Sequence, residues 1–292
     1  MTAPIVDCHV HLYRSAEEGE RGKVGYEIWE YGPFDGVHFS SASGDVESAI
    51  AAMAAAGASW VVVTNLHDVP RPGVPRADDL RAFNHWLCDL AARDRRFVPL
   101  IAVDPNTMSV EENVRHLREM VVEHDARGVK LHPPLQRLDF ADRRIWPLIE
   151  ACVELDVVVL SHSGPSRDGS GIGEPDAFRP ILDAYPDLRI VLAHMGGAAW
   201  RQLPGIARDY PWVMFDCCEI VHWLGAPKAP TVEEFVDLLR AVGVERVMMG
   251  SDFPWYDIDA TVDRIRALPG LTEHEQEAIL GGNAVRFFRL ES

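Results

Sequence analysis

The stretch Ile5-Val6-Asp7-Cys8-His9-Val10-His11-Leu12-Tyr13 decides the fold. It begins as a short apolar run of the kind buried on both faces of a parallel strand, and it ends in histidines. A dinucleotide-binding sheet would place a G-x-G-x-x-G turn after this first strand, and there is none. Outward from this first run, at 5–9, the pattern recurs at 60–64, 97–103, 128–131, 157–161, 189–193, 212–215 and 246–249. Between the runs, residues 45–56, 77–93, 110–123, 142–155, 176–184, 231–242 and 259–268 carry 3.6-residue periodicity and predict helices. Asp45 stands as an N-cap for the first of these, and Gly57 lies just past its end. Eight strand–helix units predict an α/β fold, a single (β/α)8 TIM-type barrel over residues 1–292, better than an open doubly wound sheet. No linker or low-complexity segment suggests a second domain.

The irregular stretch 13–44 follows the first strand and holds Tyr13, Tyr26, Trp29, Tyr31, Phe34 and Phe39. Loops of this length in a compact domain tend to be functional, and this one would lie at the catalytic end of a barrel. An aromatic lid is one reading; an insertion packed on the barrel or on another subunit is the other.

Composition narrows the partners. Lys and Arg number 28 against 45 Asp and Glu, a formal charge of −17, which leaves no surplus of cations for a nucleic acid or an anionic membrane surface. Hydrophobic residues make up 47%, enough for a large core, but no apolar run approaches the ~20 residues that span a bilayer. The N-terminus lacks the charged and apolar regions of a secretory signal, and the five cysteines form no spaced framework, so a cytoplasmic protein with reduced thiols is expected. A neutral or singly charged small molecule is the expected partner, since this charge would repel a polyanion.

The chemistry gathers at the predicted strand ends. His9 and His11 close the first strand, Lys130 and His132 the fourth, His162 the fifth and His194 the sixth. Cys217 and His222 follow the seventh, and Asp252 closes the eighth. Barrel enzymes draw their catalytic groups from these positions. Side chains two apart on a strand share a face, so His9 and His11 can reach one metal, with Asp7 in a buried hydrogen-bonding role below them. Cys8 would then point outward to the helices. His85, His116, His124 and His274 fall in charged helical stretches and read as solvated groups, whereas His38, His67, His132 and His222 lie in loops at the catalytic end.

The segments Val6-Asp7-Cys8-His9-Val10-His11, Gly128-Val129-Lys130-Leu131-His132-Pro133, Leu160-Ser161-His162-Ser163-Gly164, Leu192-Ala193-His194-Met195-Gly196-Gly197 and Met249-Gly250-Ser251-Asp252-Phe253-Pro254-Trp255 together resemble the amidohydrolase superfamily. The resemblance is nearest to its amidohydrolase-2 branch, which includes aminocarboxymuconate-semialdehyde decarboxylase and related hydrolases, and it extends to the closing Asn283 segment. It implies a divalent metal, zinc first and manganese second, bound by His9, His11, His162 and Asp252. Asp252 and His194 would be catalytic, the first as a base and the second polarising the substrate. Lys130, His132, His222 and Trp255 would contact the substrate. Lys130 and His194 are further candidate ligands: a carbamylated lysine bridges two metals in binuclear relatives, but one metal per chain is favoured here. A homodimer is a family-based expectation.

Two reactions follow from such a set. Three histidines and an open position on zinc lower the pKa of its water to roughly 7, so the first expectation is a hydrolase acting on a small cyclic ester, amide or related bond. The alternative is a non-oxidative decarboxylase of an aromatic or muconate-type acid, which needs nearly the same residues. A catalytically silent barrel is disfavoured, because none of the matched groups is missing.

Overall fold

The computed structural model describes residues 4–24, 28–66 and 70–291. Tyr26 of the aromatic stretch and His67 lie outside the described residues. Eight parallel strands follow one another in chain order around one sheet: β1 (Ile5–His11), β2 (Ala58–Thr64), β3 (Phe97–Ala102), β4 (Gly128–Leu131), β5 (Val158–Ser161), β6 (Ile190–Leu192), β7 (Met214–Asp216) and β8 (Val247–Met248). Closure runs through the residues after β8: the Cys8 amide donates to Met249, the Asp252 amide to His9 and the His11 amide to Phe253, at 2.7–2.9 Å. The fold is the expected (β/α)8 barrel.

Among the described residues, twelve α-helices accompany the strands. They are α1 (Ala16–Lys23), α2 (Val46–Ala56), α3 (Arg76–Arg93), α4 (Val110–His124), α5 (Pro133–Gln136), α6 (Trp146–Glu154), α7 (Arg179–Ala184), α8 (Leu203–Asp209), α9 (Val232–Val242), α10 (Ile258–Arg266), α11 (Glu273–Glu277) and α12 (Asn283–Phe288). Their starts follow local chemistry. Asp45 caps α2 by accepting from the Ser48 amide, and Ser109 with Glu112 and Thr231 with Glu234 form reciprocal capping boxes on α4 and α9. Gly57 ends α2 at φ 67°, where a side chain would be strained. Among the described residues, no helix is long and apolar enough to cross a membrane.

Val6, Cys8, Val62, Leu100, Leu160, Val191 and Met248 pack into one buried cluster with Ala284 and Phe288 of α12. Side chains from so many strands can meet only on the barrel axis. The inward position of Cys8 corrects the alternation read from the sequence. The β1–β2 register slips between Asp7 and Val10, and this bulge breaks the period of two, so that Cys8 and His9 both turn inward. The stretch 13–44 is likewise not wholly irregular: it contains α1. Tyr31 stacks on Trp223 at 5.2 Å, Phe39 packs on Tyr256 at 5.6 Å, and the Ser40 amide donates to the Trp255 carbonyl, so the segment folds over the loops after β7 and β8.

Candidate metal centre

His9 is the hub of the mouth. Its Nδ1 lies 3.0 Å from Asp216 Oδ2 and must carry the ring hydrogen, because an ionised carboxylate only accepts. That places the lone pair on Nε2, which points up the barrel towards Asp252 Oδ1 at 3.5 Å and Lys130 Nζ at 2.5 Å. His11 Nε2 stands 3.2 Å from the same Asp252 oxygen. Ligand atoms of His9, His11 and Asp252 all lie within 4.8 Å of one another.

Electrostatics suit this trio to a cation. Burial pushes the His11 imidazole down to about 4, so it is neutral at pH 7, and a cation here would take the place of the hydrogen it shares with Asp252. Burial would raise Asp252, but the hydrogen bond from His11 and the nearby imidazoles of His9 and His194 outweigh it and hold the carboxyl in its charged form. Lys130 is fully buried, and desolvation lowers its pKa against the pull of Asp252. Two imidazole nitrogens and one carboxylate are the donor chemistry of zinc and manganese sites.

A second layer holds the first in place. Asp216 accepts from the His194 amide at 2.8 Å through Oδ1 while Oδ2 orients His9. Burial alone would raise Asp216, and the imidazoles of His9 and His194 more than offset this, keeping it at about 2. Cys218 Sγ sits 3.0 Å from Nδ1 of both His9 and His194, and burial keeps it a thiol. Below them Asp7 accepts from the His9 amide at 3.1 Å and from the Ser251 amide at 2.9 Å, the hydrogen-bonding role expected of it.

Three mouth residues adopt left-handed backbone: His194 at φ 59°, Glu219 at 59° and Asp252 at 62°. Such conformations cost of order 1–3 kcal/mol each and cluster at working sites. The same three bring ligand atoms within 4.8 Å of one another, and Glu219 is a residue the sequence analysis passed over. So is Glu30 from the aromatic segment. It is buried, its Oε1 finds no hydrogen-bond partner among the described residues, and burial, opposed by Tyr31, raises it to about 7.

The other expected site residues divide. His162 does not join the His9, His11 and Asp252 group; its ring lies 4.7 Å from that of His194 and stacks on His132 at 3.9 Å. Trp255 meets His11 edge-on at 4.9 Å, at the mouth as expected. His222 is engaged below, with Nε2 2.9 Å from Thr261 Oγ1 and its ring stacked on Tyr256. Of the adjacent Cys217 and Cys218, one of which the sequence turns towards the mouth, it is Cys218 that reaches it; Asp216 escapes a sequence reading because its partner His9 is more than 200 residues away, and the one available sign is an acidic residue closing a barrel strand.

Residues 6–290 match the family model described as Amidohydrolase. The chain belongs to the amidohydrolase family. Solved structures add the neighbours of this amidohydrolase. It is similar to 5-carboxyvanillate decarboxylase from Sphingomonas paucimobilis at TM-score 0.71 and 17% identity, over 99% of this chain and 100% of that one. A 2,6-dihydroxybenzoate decarboxylase from Rhizobium aligns at 0.69 and 16%, over 100% of both chains. A dihydroxybenzoic acid decarboxylase from Polaromonas, with bound manganese and the inhibitor 2-nitroresorcinol, aligns at 0.70 and 18%, over 99% of this chain and 97% of that one. No curated protein matches this amidohydrolase.

Hydrolysis, the first expectation from the sequence, is corrected by these neighbours. Those with a named reaction are decarboxylases, so the comparisons favour the alternative. The physical reason for the error is that a metal, an Asp and a His serve both reactions, so the motif residues could not rank them.

Proposed function

We infer that this amidohydrolase is a metal-dependent, non-oxidative decarboxylase of a hydroxylated aromatic carboxylic acid. What carries the reading is the His9, His11 and Asp252 donor group in the mouth of a barrel that aligns end to end with decarboxylases of such acids. These three residues would hold one divalent ion, manganese as in the Polaromonas structure or zinc. A cation there supplies Lewis acidity, drawing electron density from the substrate's oxygens.

The chain's own groups account for the proton. Asp252 is charged at rest and takes the proton of the hydroxyl beside the substrate carboxylate, then hands it to the ring carbon that bears that carboxylate. The ring-to-carboxyl bond breaks, its electron pair returns to the ring, and carbon dioxide departs. The resulting phenolate regains its proton from solvent. His194, neutral because burial pushes it to about 3, orients the substrate without competing for the proton. Lys130, the one buried lysine among the described residues, stands beside these groups and in its protonated form would offset the substrate's negative charge. Trp255 and the aromatic segment above it suit a flat ring.

The test is carbon dioxide release by manganese- and zinc-loaded protein from a panel of hydroxybenzoates that includes 5-carboxyvanillate and 2,6-dihydroxybenzoate. Release from at least one member is expected. Silence across the panel with both metals rejects the reading.

A further inference from the structure

On the outer ring of the barrel, α3 and α4 bring three histidines and a glutamate together. His85 lies on α3; His116, Glu119 and His124 lie on α4. Their charged helical surroundings predict solvated groups, but His116 is buried and its neighbours define its state.

Asn84 sets the tautomer of His116. Its Oδ1 accepts the Ala102 amide at 2.9 Å and its Nδ2 donates to the Ala102 carbonyl at 2.8 Å, which fixes the orientation of the amide. The same Nδ2 faces His116 Nε2 at 3.1 Å, so that nitrogen must accept and the ring hydrogen sits on Nδ1. Nδ1 in turn lies 3.4 Å from Glu119 Oε2. One carboxylate oxygen is thereby held, and the other, Oε1, faces His85 Nε2 at 3.8 Å. That separation is too long for a hydrogen bond. It is near the spacing of about 3.4 Å expected between adjacent ligands of a tetrahedral zinc ion.

The imidazole of His124 completes the arrangement, its ring edge-on to His85 at 4.7 Å. Ligand atoms of His85, Glu119 and His124 all lie within 4.8 Å of one another, and all three residues reach solvent. His124 is also the last residue of α4, where the helix dipole favours positive charge. We propose that His85, Glu119 and His124 form a second binding site for a borderline divalent cation of the zinc class, which ties α3 to α4 with His116 holding the glutamate in place. The site has two imidazole nitrogens, one carboxylate oxygen and a side open to water, so it is built for binding and clamping.

The experiment counts zinc retained after desalting by inductively coupled plasma mass spectrometry, using protein saturated with zinc. Wild type is expected to keep one equivalent more than the His85→Ala/His124→Ala double variant, and the His11→Ala variant is expected to keep that equivalent. Saturating zinc should also raise the melting temperature of wild type by about 5 °C more than that of Glu119→Gln, an exposed substitution that spares the fold and leaves the mouth donors intact. Equal retention by wild type and the double variant overturns the proposal, as does loss of the extra equivalent in His11→Ala.

Discussion

Asp216 Oδ2 accepts the Nδ1 hydrogen of His9 at 3.0 Å across a gap of 207 residues in sequence, and this contact turns the His9 lone pair towards Asp252. A carboxamide at position 216 would present either an amide group or a weaker acceptor to His9, loosening the tautomer. Asp216→Asn is expected to weaken metal binding by roughly 10–100-fold with the fold retained. Equilibrium dialysis against manganese and zinc measures this, and unchanged affinity would show that His9 is held by its packing alone.

Asp252 is the group given the proton in the proposed reaction. Its φ of 62° is one that asparagine tolerates, so Asp252→Asn removes the charge without straining the turn after β8. The substitution is expected to lower kcat by about 10²–10⁴-fold while the melting temperature stays close to wild type. Turnover on the best substrate of the panel checks it; activity within a factor of a few would remove Asp252 from the proton path.

How far the sequence led depends on the range of each contact. The strands were readable because β-branched, doubly buried runs are local signals, and the mouth residues were readable because they close those runs. Asp216 and Glu219 act on residues brought near only by the fold, so no spacing announces them. Cys8 was assigned to the wrong face because a bulge cannot be read from alternation alone. His116 was taken for a surface group because its helix is rich in charge, although it lies on the side of α4 that meets Asn84 of α3. His222 stands in a mouth loop, yet its partner Thr261 on α10 turns it inward.

Glu30 makes stability depend on pH. Burial raises its folded-state pKa from 4.5 to about 7, above the value of the unfolded chain, so the folded state binds the extra proton between these values. Stability from this group is therefore present in acid and is lost as pH rises through about 7. Glu30→Gln cannot ionise, and its melting temperature should fall less than that of wild type between about pH 5 and pH 8. Parallel pH-dependence in the two proteins would place the titration elsewhere.

Gly197 leaves room for that same carboxylate. A Cβ at this position would come 2.3 Å from Glu30 Oε1, and its φ of 54° already disfavours any side chain. Gly197→Ala must therefore displace Glu30 or shift the backbone that follows His194. Either route should cost on the order of 1–3 kcal/mol, seen as a melting temperature lower by roughly 2–8 °C. The double variant Gly197→Ala/Glu30→Ala separates the clash from the backbone strain. Recovery of most of the lost stability would assign the cost to the carboxylate, whereas no recovery would assign it to the left-handed turn that positions His194.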